Sequence, residues 1–229
     1  MAIDHIGLQL FPGEELFRFI GRLAMPIFAF FIAEGCRKTS SIGKYFLRTF
    51  SLGCLCQLFY LANDLLMGNI SSLYLNILFT LSLSIILCAL YLKLENAIKS
   101  KNSGQILRFS ILFFGALILI GLLLLFCESS DSLIGFKVTI DYSIGGVLLP
   151  LFALVFEEKR KRMLVFSLGI GVYCLLYMRT MPYIWYSFLA LPFLILYSGK
   201  RGRLPLKYFF YAFYPLHLGA IYLIRILFF

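Results

Sequence analysis

Long apolar runs recur along this chain, and they limit what it can fold into. Crossing about 30 Å of hydrocarbon takes roughly 20 helical residues at about 1.5 Å each, which is close to the length of these runs. Hydrophobic residues make up 61% of the 229 positions and charged residues 14%, too little polar surface to cover a soluble globule. Lipid cannot satisfy backbone N–H and C=O groups, so the sequence predicts an all-α, polytopic transmembrane helix bundle.

The apolar runs predict about eight full spans, joined by short connections. The predicted spans are 17–36, 46–66, 73–92, 106–126, 141–156, 163–178, 182–198 and 208–228. Because the connections are short and no linker interrupts them, we expect a single domain over residues 1–229.

The net charge of +10 is distributed in a pattern typical of membrane proteins. Fifteen of the 21 basic residues fall on alternate predicted loops, 37–45, 93–108, 157–162 and 199–207. By the positive-inside rule these loops face the cytoplasm, whereas residues 1–16 and the C-terminus face outward. Basic clusters beside spans set topology and bind the headgroups of membrane lipids, so the charge does not indicate nucleic-acid binding.

The six cysteines fall mostly within the predicted spans. They form no CxxC pattern and have no histidine at ligand spacing, so the sequence predicts neither a disulfide framework nor a metal site. We expect them to be small buried hydrophobes.

Two arginines lie four residues apart in the first predicted span. A charge at mid-membrane costs about 2.5–3.5 kcal/mol and is tolerated mainly with a partner or a task. Arg18 is predicted to snorkel to the outer interface, and Arg22, one turn deeper, to take part in an ion pair or a site. Glu34 lies about 18 Å further along the helix, toward the cytoplasm, where it is either solvated beside Arg37 and Lys38 or part of a site.

His217 lies near the middle of the last predicted span, two residues after Pro215. The proline has no N–H, which leaves the carbonyl of Tyr211 without its helical donor. A histidine beside such a perturbed turn can act as an acid, a base or a ligand. The alternative is a core histidine satisfied by one of the hydroxyls of the 14 tyrosines.

Polar and ionisable residues gather at the outward ends of the predicted spans. They are the adjacent Asp4 and His5, then Asn76, Asp141, Tyr142 and Arg179. Their convergence with Arg22 on one side of the membrane predicts a polar outward pocket. The alternative is a set of solvated helix-end residues in a catalytically inert scaffold.

Several of these residues belong to longer motifs. The motifs are IDHIG, RLAMPIFAFFIAEG, RKT, LNILFTLSL, DYSIGGVLLPL and LKYFFYAFYPLHLGAIYLI. In this order, from residue 3 to about residue 225, they resemble the TraX family of multi-spanning membrane proteins, named for the enzyme that N-acetylates conjugative pilin. Members usually carry an apolar run before the Asp-His pair, so this chain is expected to lack the N-terminal part of a first span.

The resemblance implies an acyltransferase of the bacterial cell membrane. Such an enzyme would take an acyl group from cytoplasmic acetyl-CoA or another acyl-CoA and deliver it to a protein N-terminus, a sugar or a lipid outside. The motif positions it implies for a site are Asp4, His5, Arg22, Pro26, Glu34, Asn76, Asp141, Tyr142, Gly146, Pro215 and His217. The nucleotide end of the donor is expected beside Lys44, Lys93 or Lys200. A homo-oligomer is compatible with this assignment.

In the mechanism we expect, His5 is oriented by Asp4 and deprotonates the acceptor, with His217 as the alternate base. Arg22, with Asn76 or Tyr142, is expected to stabilise the tetrahedral oxyanion. The competing hypothesis is a transporter or flippase, in which the intramembrane Arg, Glu and His side chains form a path through the bundle. No inverted repeat in the sequence supports that alternative.

Overall fold

The computed structural model describes residues 1–66, 68, 72–181, 183–200 and 207–228. Its helices are α1 Ala2–Gln9, α2 Glu15–Gly21, α3 Ala24–Lys38, α4 Ile42–Leu66, α5 Ile77–Lys99, α6 Ser103–Ile134, α7 Ser143–Phe152, α8 Lys159–Tyr177, the 3₁₀ helix Ile184–Leu189, α9 Ala190–Leu196 and α10 Lys207–Phe228. Two strands complete the described part, β1 Ser72–Leu75 and β2 Lys137–Ile140. Arg201 and Arg203 of the fourth basic loop lie outside the described residues, as does position 182 at the start of a predicted span.

Four helical segments of the described chain are long and apolar enough to cross a membrane. They are Glu15–Lys38, Ile42–Leu66, Ile77–Lys99 and Ser103–Ile134, and each coincides with a predicted span. The other predicted spans also fall on helices, but the helix in 141–156 is only the 10 residues of α7. At about 1.5 Å per residue α7 rises roughly 15 Å, about half of the hydrocarbon thickness. The helical, membrane-type fold is therefore confirmed. Helix length and composition support four crossings in the described chain, not the predicted count of about eight.

A pair of short strands departs from the all-α prediction. β1 and β2 pair in parallel, from Ser72 opposite Lys137 to Leu75 opposite Ile140, and the Asp141 N–H donates to the Leu75 carbonyl at 3.0 Å. Parallel strands need a long crossover, which α5 and α6 supply. The strands lie immediately before α5 and α7, where the backbone N–H and C=O groups have no partners within a helix. Pairing between the two strands supplies their hydrogen bonds. The predicted span 73–92 therefore starts inside a strand.

The first membrane-crossing segment breaks between α2 and α3. Pro26 has no N–H, so it cannot donate to the Arg22 carbonyl as a helical residue would. The hydroxyl of Ser187, in the 3₁₀ helix, donates to that carbonyl instead, at 3.2 Å. The break places Arg22 between the end of α2 and the start of α3, so it does not belong to a continuous helix.

α7 is fixed at both ends by side chains from other helices. At its start the Tyr177 hydroxyl accepts from the Gly145 N–H at 3.1 Å and donates to the Tyr142 carbonyl at 2.9 Å. At its end Arg162 Nε donates to the Ala153 carbonyl at 2.7 Å and Arg37 donates to the carbonyl of residue 154. Cations at a helix C-terminus also interact favourably with its dipole. A helix too short to cross the membrane is thus held inside the bundle.

The apolar core lies around α3, α5, α7 and α8. Met25, Ala29 and Ala33 follow one face of α3 and are 0% exposed, and they belong to the same packed cluster as Ile85 of α5 and Ile170 of α8. Five of the six free cysteines are buried: Cys36, Cys56, Cys88, Cys127 and Cys174. By contrast, α6 exposes large apolar side chains along most of its length, as expected for a helix facing lipid.

The bundle has two chemically different ends. We call the end where α3 and α5 finish and α8 begins the basic end; its cations are Arg37, Lys38, Lys99, Lys159 and Arg162. We call the opposite end, where α4 finishes and α5 begins, the cavity end. The functional residues predicted from the sequence divide between these two ends.

Asn76 joins α4 to α5 at the cavity end. It is 0% exposed and caps α5, since its Oδ1 accepts from the Leu78 N–H at 3.1 Å. Its amide nitrogen donates to the Gly53 carbonyl at 2.9 Å and to Gln57 Oε1 at 3.0 Å. Both amide hydrogens and the oxygen are therefore engaged in holding the fold.

We expect Asn76→Ala to lower the free energy of unfolding by about 2–4 kcal/mol, because it removes a cap and leaves buried acceptors unpaired. Asn102→Ala is the matched control. Asn102 caps α6 in the same way, accepting from the Gln105 N–H at 3.1 Å, but in an exposed position. Its loss should cost about 1 kcal/mol or less. The midpoint of thermal unfolding in detergent measures both, and equal shifts would contradict the role assigned to Asn76.

Candidate functional site

A cavity of about 410 Å³ opens at the cavity end of the bundle. α1, the α2–α3 break, the end of α4, the two segments before α5 and α7, and α10 all contribute to its wall. Its ionisable residues are Asp4, His5, Arg18, Arg22, Asp64 and Asp141, and its tyrosines are Tyr60, Tyr74, Tyr142 and Tyr222. A cavity of this size with several convergent polar groups is typical of a binding or catalytic site.

Two histidines from distant parts of the chain meet beside this cavity. His5 Nδ1 lies 3.2 Å from His217 Nε2, and the two rings stack with centroids 5.3 Å apart. His217 Nδ1 lies 2.8 Å from the carbonyl oxygen of Phe213, one turn earlier in α10. A carbonyl only accepts, so His217 Nδ1 carries a hydrogen, and in the neutral ring Nε2 is then an acceptor.

This chain of contacts fixes the hydrogen positions on His5. Because His217 Nε2 accepts, His5 Nδ1 must donate, and the neutral His5 ring then has its lone pair on Nε2. His5 lines the cavity, whereas His217 stands behind it. The arrangement resembles other sites in which one group orients a basic imidazole through its second nitrogen.

Asp4 does not orient His5, contrary to the prediction. Its carboxylate forms an ion pair with Arg18, with Oδ1 and Nη1 2.8 Å apart. Neighbouring residues of a helix point about 100° apart, so Asp4 and His5 present their side chains to different partners. The ion pair gives Arg18 a specific partner, and its approach to the outer interface stays a prediction. Asp4 and Arg18 instead attach α1 to α2.

Arg22 contributes a buried guanidinium to the cavity wall. It is 5% exposed, and its Nη1 lies 3.8 Å from the sulfur of Met181. Its Nε is buried without a hydrogen-bond partner. Among the described residues no carboxylate lies within ion-pair distance of Arg22. The ion pair suggested by the sequence is therefore absent from the part of the chain that the structure describes.

Asp141 and Tyr142 enter the cavity from the turn between β2 and α7. Tyr142 has a φ of 57° and Ser143 a φ of 33°, a left-handed conformation that is strained for residues with a side chain. Thr80 donates to the Asp141 carbonyl, and the Tyr177 hydroxyl binds the Tyr142 carbonyl. These bonds hold the strained turn and direct both side chains toward the cavity.

Among the predicted site residues, Asn76, Glu34 and Arg179 lie away from both the cavity wall and the histidine pair. Asn76 is fully buried and serves as the cap described above. Glu34 lies at the basic end, where it pairs with Arg162 and, at 2.7 Å, with Lys38. Arg179 is exposed and precedes Thr180 and Met181, which do line the cavity.

Several cavity residues escaped the sequence prediction. Tyr60 and Asp64 lie four positions apart at the end of α4, so they share one helix face. The spacing of Tyr60 and Asp64 could therefore have identified them as a pair from the sequence. Tyr74 and Tyr222 could not be recognised, because tyrosines at helix and strand ends are common in membrane proteins.

The basic end contains a second, smaller cleft of about 330 Å³. Lys93 lines it with Arg37, Glu95, Lys99 and Glu157. Lys99 bridges the two acids, at 2.9 Å from Glu95 and 2.7 Å from Glu157. The hydrogen bond from Lys99 holds the pKa of Glu157 below its usual value. Of the lysines suggested for a nucleotide, Lys44 and Lys200 are exposed and lie outside this cleft.

Comparison with known proteins identifies the family. A family model described as TraX protein matches residues 1–225. The chain belongs to the TraX family. It is 28% identical over 244 aligned positions to a probable fimbrial assembly protein FimC, serogroup H1, of Dichelobacter nodosus, covering 96% of this chain and 89% of that protein. It is 61% identical over 31 residues to an uncharacterized protein of Rickettsia prowazekii, 14% of this chain and 12% of that one. No solved structure matches.

We expect Gly21→Ala to disturb the site of this TraX-family protein, because the added Cβ would lie 2.3 Å from Asp4 Oδ1. The clash would push α1, and with it His5, away from the cavity wall. Gly115→Ala in α6 is the control, since nothing lies within 4 Å of its Cβ. Alanine there should stabilise the helix by about 0.5–1 kcal/mol. Thermal unfolding of both variants in detergent provides the comparison, and a stabilised Gly21→Ala protein would contradict the packing described.

Proposed function

We propose that this chain is a membrane acyltransferase that moves an acetyl or other acyl group from acyl-CoA to an amine or hydroxyl at the cavity end. The basic end would face the cytoplasm, which supplies acyl-CoA, and the cavity end would face outward. The candidate acceptors are a pilin-like protein N-terminus, a cell-wall sugar and a lipid headgroup. TraX family membership and the fimbrial-assembly name of the Dichelobacter relative favour the first.

The paired histidines are the observation that carries this proposal. A general base must present a lone pair to the acceptor and stabilise the proton it receives. His5 lines the cavity and carries its lone pair on Nε2, and the proton gained there is offset by donation from His5 Nδ1 to His217 Nε2, 3.2 Å away. His217 in turn donates to the Phe213 carbonyl. The two rings therefore form a short path along which positive charge is spread.

Transfer would proceed through a tetrahedral intermediate. The acceptor nitrogen or oxygen attacks the thioester carbonyl carbon while His5 Nε2 takes the proton of the nucleophile. The carbon–sulfur bond then breaks, and the imidazolium returns the proton to the leaving thiolate. The products are the acylated acceptor and free CoA, and the histidine pair is regenerated.

The oxyanion of the intermediate needs a pre-placed hydrogen-bond donor. Asn76 cannot supply one, because both of its amide hydrogens are bonded to Gly53 and Gln57. Tyr142 lines the same cavity as His5 and is held by its strained turn, so its hydroxyl is the donor we assign. A fixed donor of this kind contributes about 3–4 kcal/mol of transition-state stabilisation.

The phosphates of acyl-CoA need cations, and the basic end offers them. Lys93 lies in the cleft with Arg37 and Lys99, so it is the best placed of the lysines suggested from the sequence. The interior between the two ends is filled along α3 by side chains that are 0% exposed. The pantetheine arm would therefore have to reach the cavity through a gap between α3 and a neighbouring helix.

We expect His5→Gln to lower the rate of acyl transfer at least about 100-fold, because it removes the base. His217→Phe should lower it less, roughly tenfold, because His5 keeps its lone pair but loses its partner. Acceptors would first be found by mass spectrometry of envelope proteins and polymers from cells with and without the protein. Transfer from acetyl-CoA to that acceptor is then measured with purified protein in detergent. Arg48→Gln, at an exposed α4 position, is the control.

Two outcomes would overturn the proposal. One is a purified protein that neither binds acetyl-CoA nor modifies any envelope component. The other is full activity in both histidine variants. Substrate flux into proteoliposomes without acyl-CoA would instead support a transporter.

A further inference from the structure

Arg22 is the buried charge that the proposed chemistry leaves unexplained. The Arg22 residue is 5% exposed. It lies at the break between α2 and α3, and its side chain forms part of the cavity wall. A guanidinium has five N–H donors, and burying it without an anion is costly. Among the residues that the structure describes, Nε is buried without a hydrogen-bond partner. Within the same residues, Nη1 contacts the Met181 sulfur at 3.8 Å, a weak acceptor.

The described carboxylates of the same cavity form no direct ion pair with Arg22, although Asp141 lies close enough to attract it electrostatically. Asp4 is committed to Arg18 at 2.8 Å. Asp64 and Asp141 form no ion pair with Arg22 within 4.0 Å. Arg22 therefore lines a 410 Å³ cavity with most of its N–H groups unbonded to the described part of the chain.

A transient negative charge does not account for this arrangement. The oxyanion of an acyl-transfer intermediate exists only during turnover, so it would leave the guanidinium without a hydrogen-bonded anion for most of the time. A permanent anionic group on the ligand would satisfy the charge throughout binding. Guanidinium groups bind carboxylate and phosphate through two parallel hydrogen bonds, and the two terminal Nη groups form such a pair of donors, whereas the buried Nε is out of reach of the cavity.

We propose that Arg22 binds an oxyanion group, a carboxylate or a phosphate, carried by the acceptor, while the nucleophile of that acceptor faces His5. This inference rests on the acyl transfer proposed above. Because Asp4, Asp64 and Asp141 share the cavity, a ligand with several negative charges would be repelled. The acceptor class is therefore an amine or alcohol with a single oxyanion group.

The first test measures anion binding without turnover, so it does not depend on the transferase activity. Purified protein is unfolded thermally in acetate, inorganic phosphate or chloride at one ionic strength. We expect acetate or phosphate to raise the unfolding midpoint above that in chloride. Arg22→Gln should weaken the apparent affinity for the stabilising ion at least tenfold, whereas Arg48→Gln should keep it. Equal midpoints in all three salts, or an unchanged ion effect in Arg22→Gln, overturn the proposal.

A second measurement uses the unaltered protein, in case Arg22→Gln does not fold. Phenylglyoxal modifies arginines, and mass spectrometry locates the product. Phosphate or acetate should slow modification of Arg22 at least fivefold relative to chloride and leave Arg48 unchanged. Equal protection of both arginines, or of neither, contradicts an anion site at Arg22. Protection of Arg22 by short-chain phosphatidylglycerol at lower concentration than by the free ions would place the oxyanion on a lipid headgroup, and protection by the free ions at equal or lower concentration would place it on a soluble acceptor.

A third measurement separates binding from catalysis. The acceptors β-alanine and β-alaninamide differ only in the carboxylate, and phosphoethanolamine and ethanolamine differ only in the phosphate. In Arg22→Lys, which keeps the charge but not the fork, KM should rise at least tenfold for the anionic member of one pair and stay unchanged for its neutral partner. An equal fall in kcat for both members would make Arg22 a transition-state residue and overturn the inference. If no acceptor is acylated while anion binding at Arg22 persists, the transferase proposal fails and the anion site stands.

Discussion

The structure depends on one constraint, which is that a backbone group inside lipid must find its hydrogen bond within the protein. At three interruptions of its helices, a side chain from another element takes over. Ser187 binds the carbonyl freed by Pro26, Tyr177 serves both sides of the turn before α7, and Arg162 binds the carbonyl that follows it. These side-chain hydrogen bonds stabilise irregular backbone inside the bundle. Such irregular backbone forms part of the cavity wall.

The strained turn before α7 illustrates how this compensation serves a site. A regular helix would direct Asp141 and Tyr142 along its own surface. The left-handed backbone at Tyr142 turns the chain sharply after β2, and the parallel strand pair holds the turn from the other side. The site is therefore built from places where helices are interrupted, at the α2–α3 break and at the starts of α5 and α7.

Much of this architecture could be predicted from the sequence, because hydrophobic run length and motif order are local properties. The family and the helical, membrane-type fold are confirmed. The sequence also selected Asp4, His5, Arg22, Asp141 and Tyr142, all of which line the cavity. Run length alone could not distinguish a crossing helix from α7, since an apolar helix buried in the bundle and one facing lipid have the same composition.

Which side chains pair with one another could not be predicted from the sequence, for a different reason. The adjacent Asp4 and His5 suggested a dyad, yet their partners come from residues 14 and 212 positions away, Arg18 and His217. Asn76 and Glu34 have the polar chemistry of a site but are used to join helices, at the cavity end and the basic end respectively. Such assignments depend on which helix faces which, and no short-range pattern encodes that.

The separation of the two histidines also has a consequence for biosynthesis. α1 emerges from the ribosome early and α10 late, so during most of translation His5 has no imidazole to donate to. An unfinished chain interrupted before position 217 would hold His5 without its imidazole partner, on a first helix attached to α2 but not to α10. In the proposed enzyme, the full rate of acyl transfer would thus appear only after the last helix has been inserted and has packed against the first.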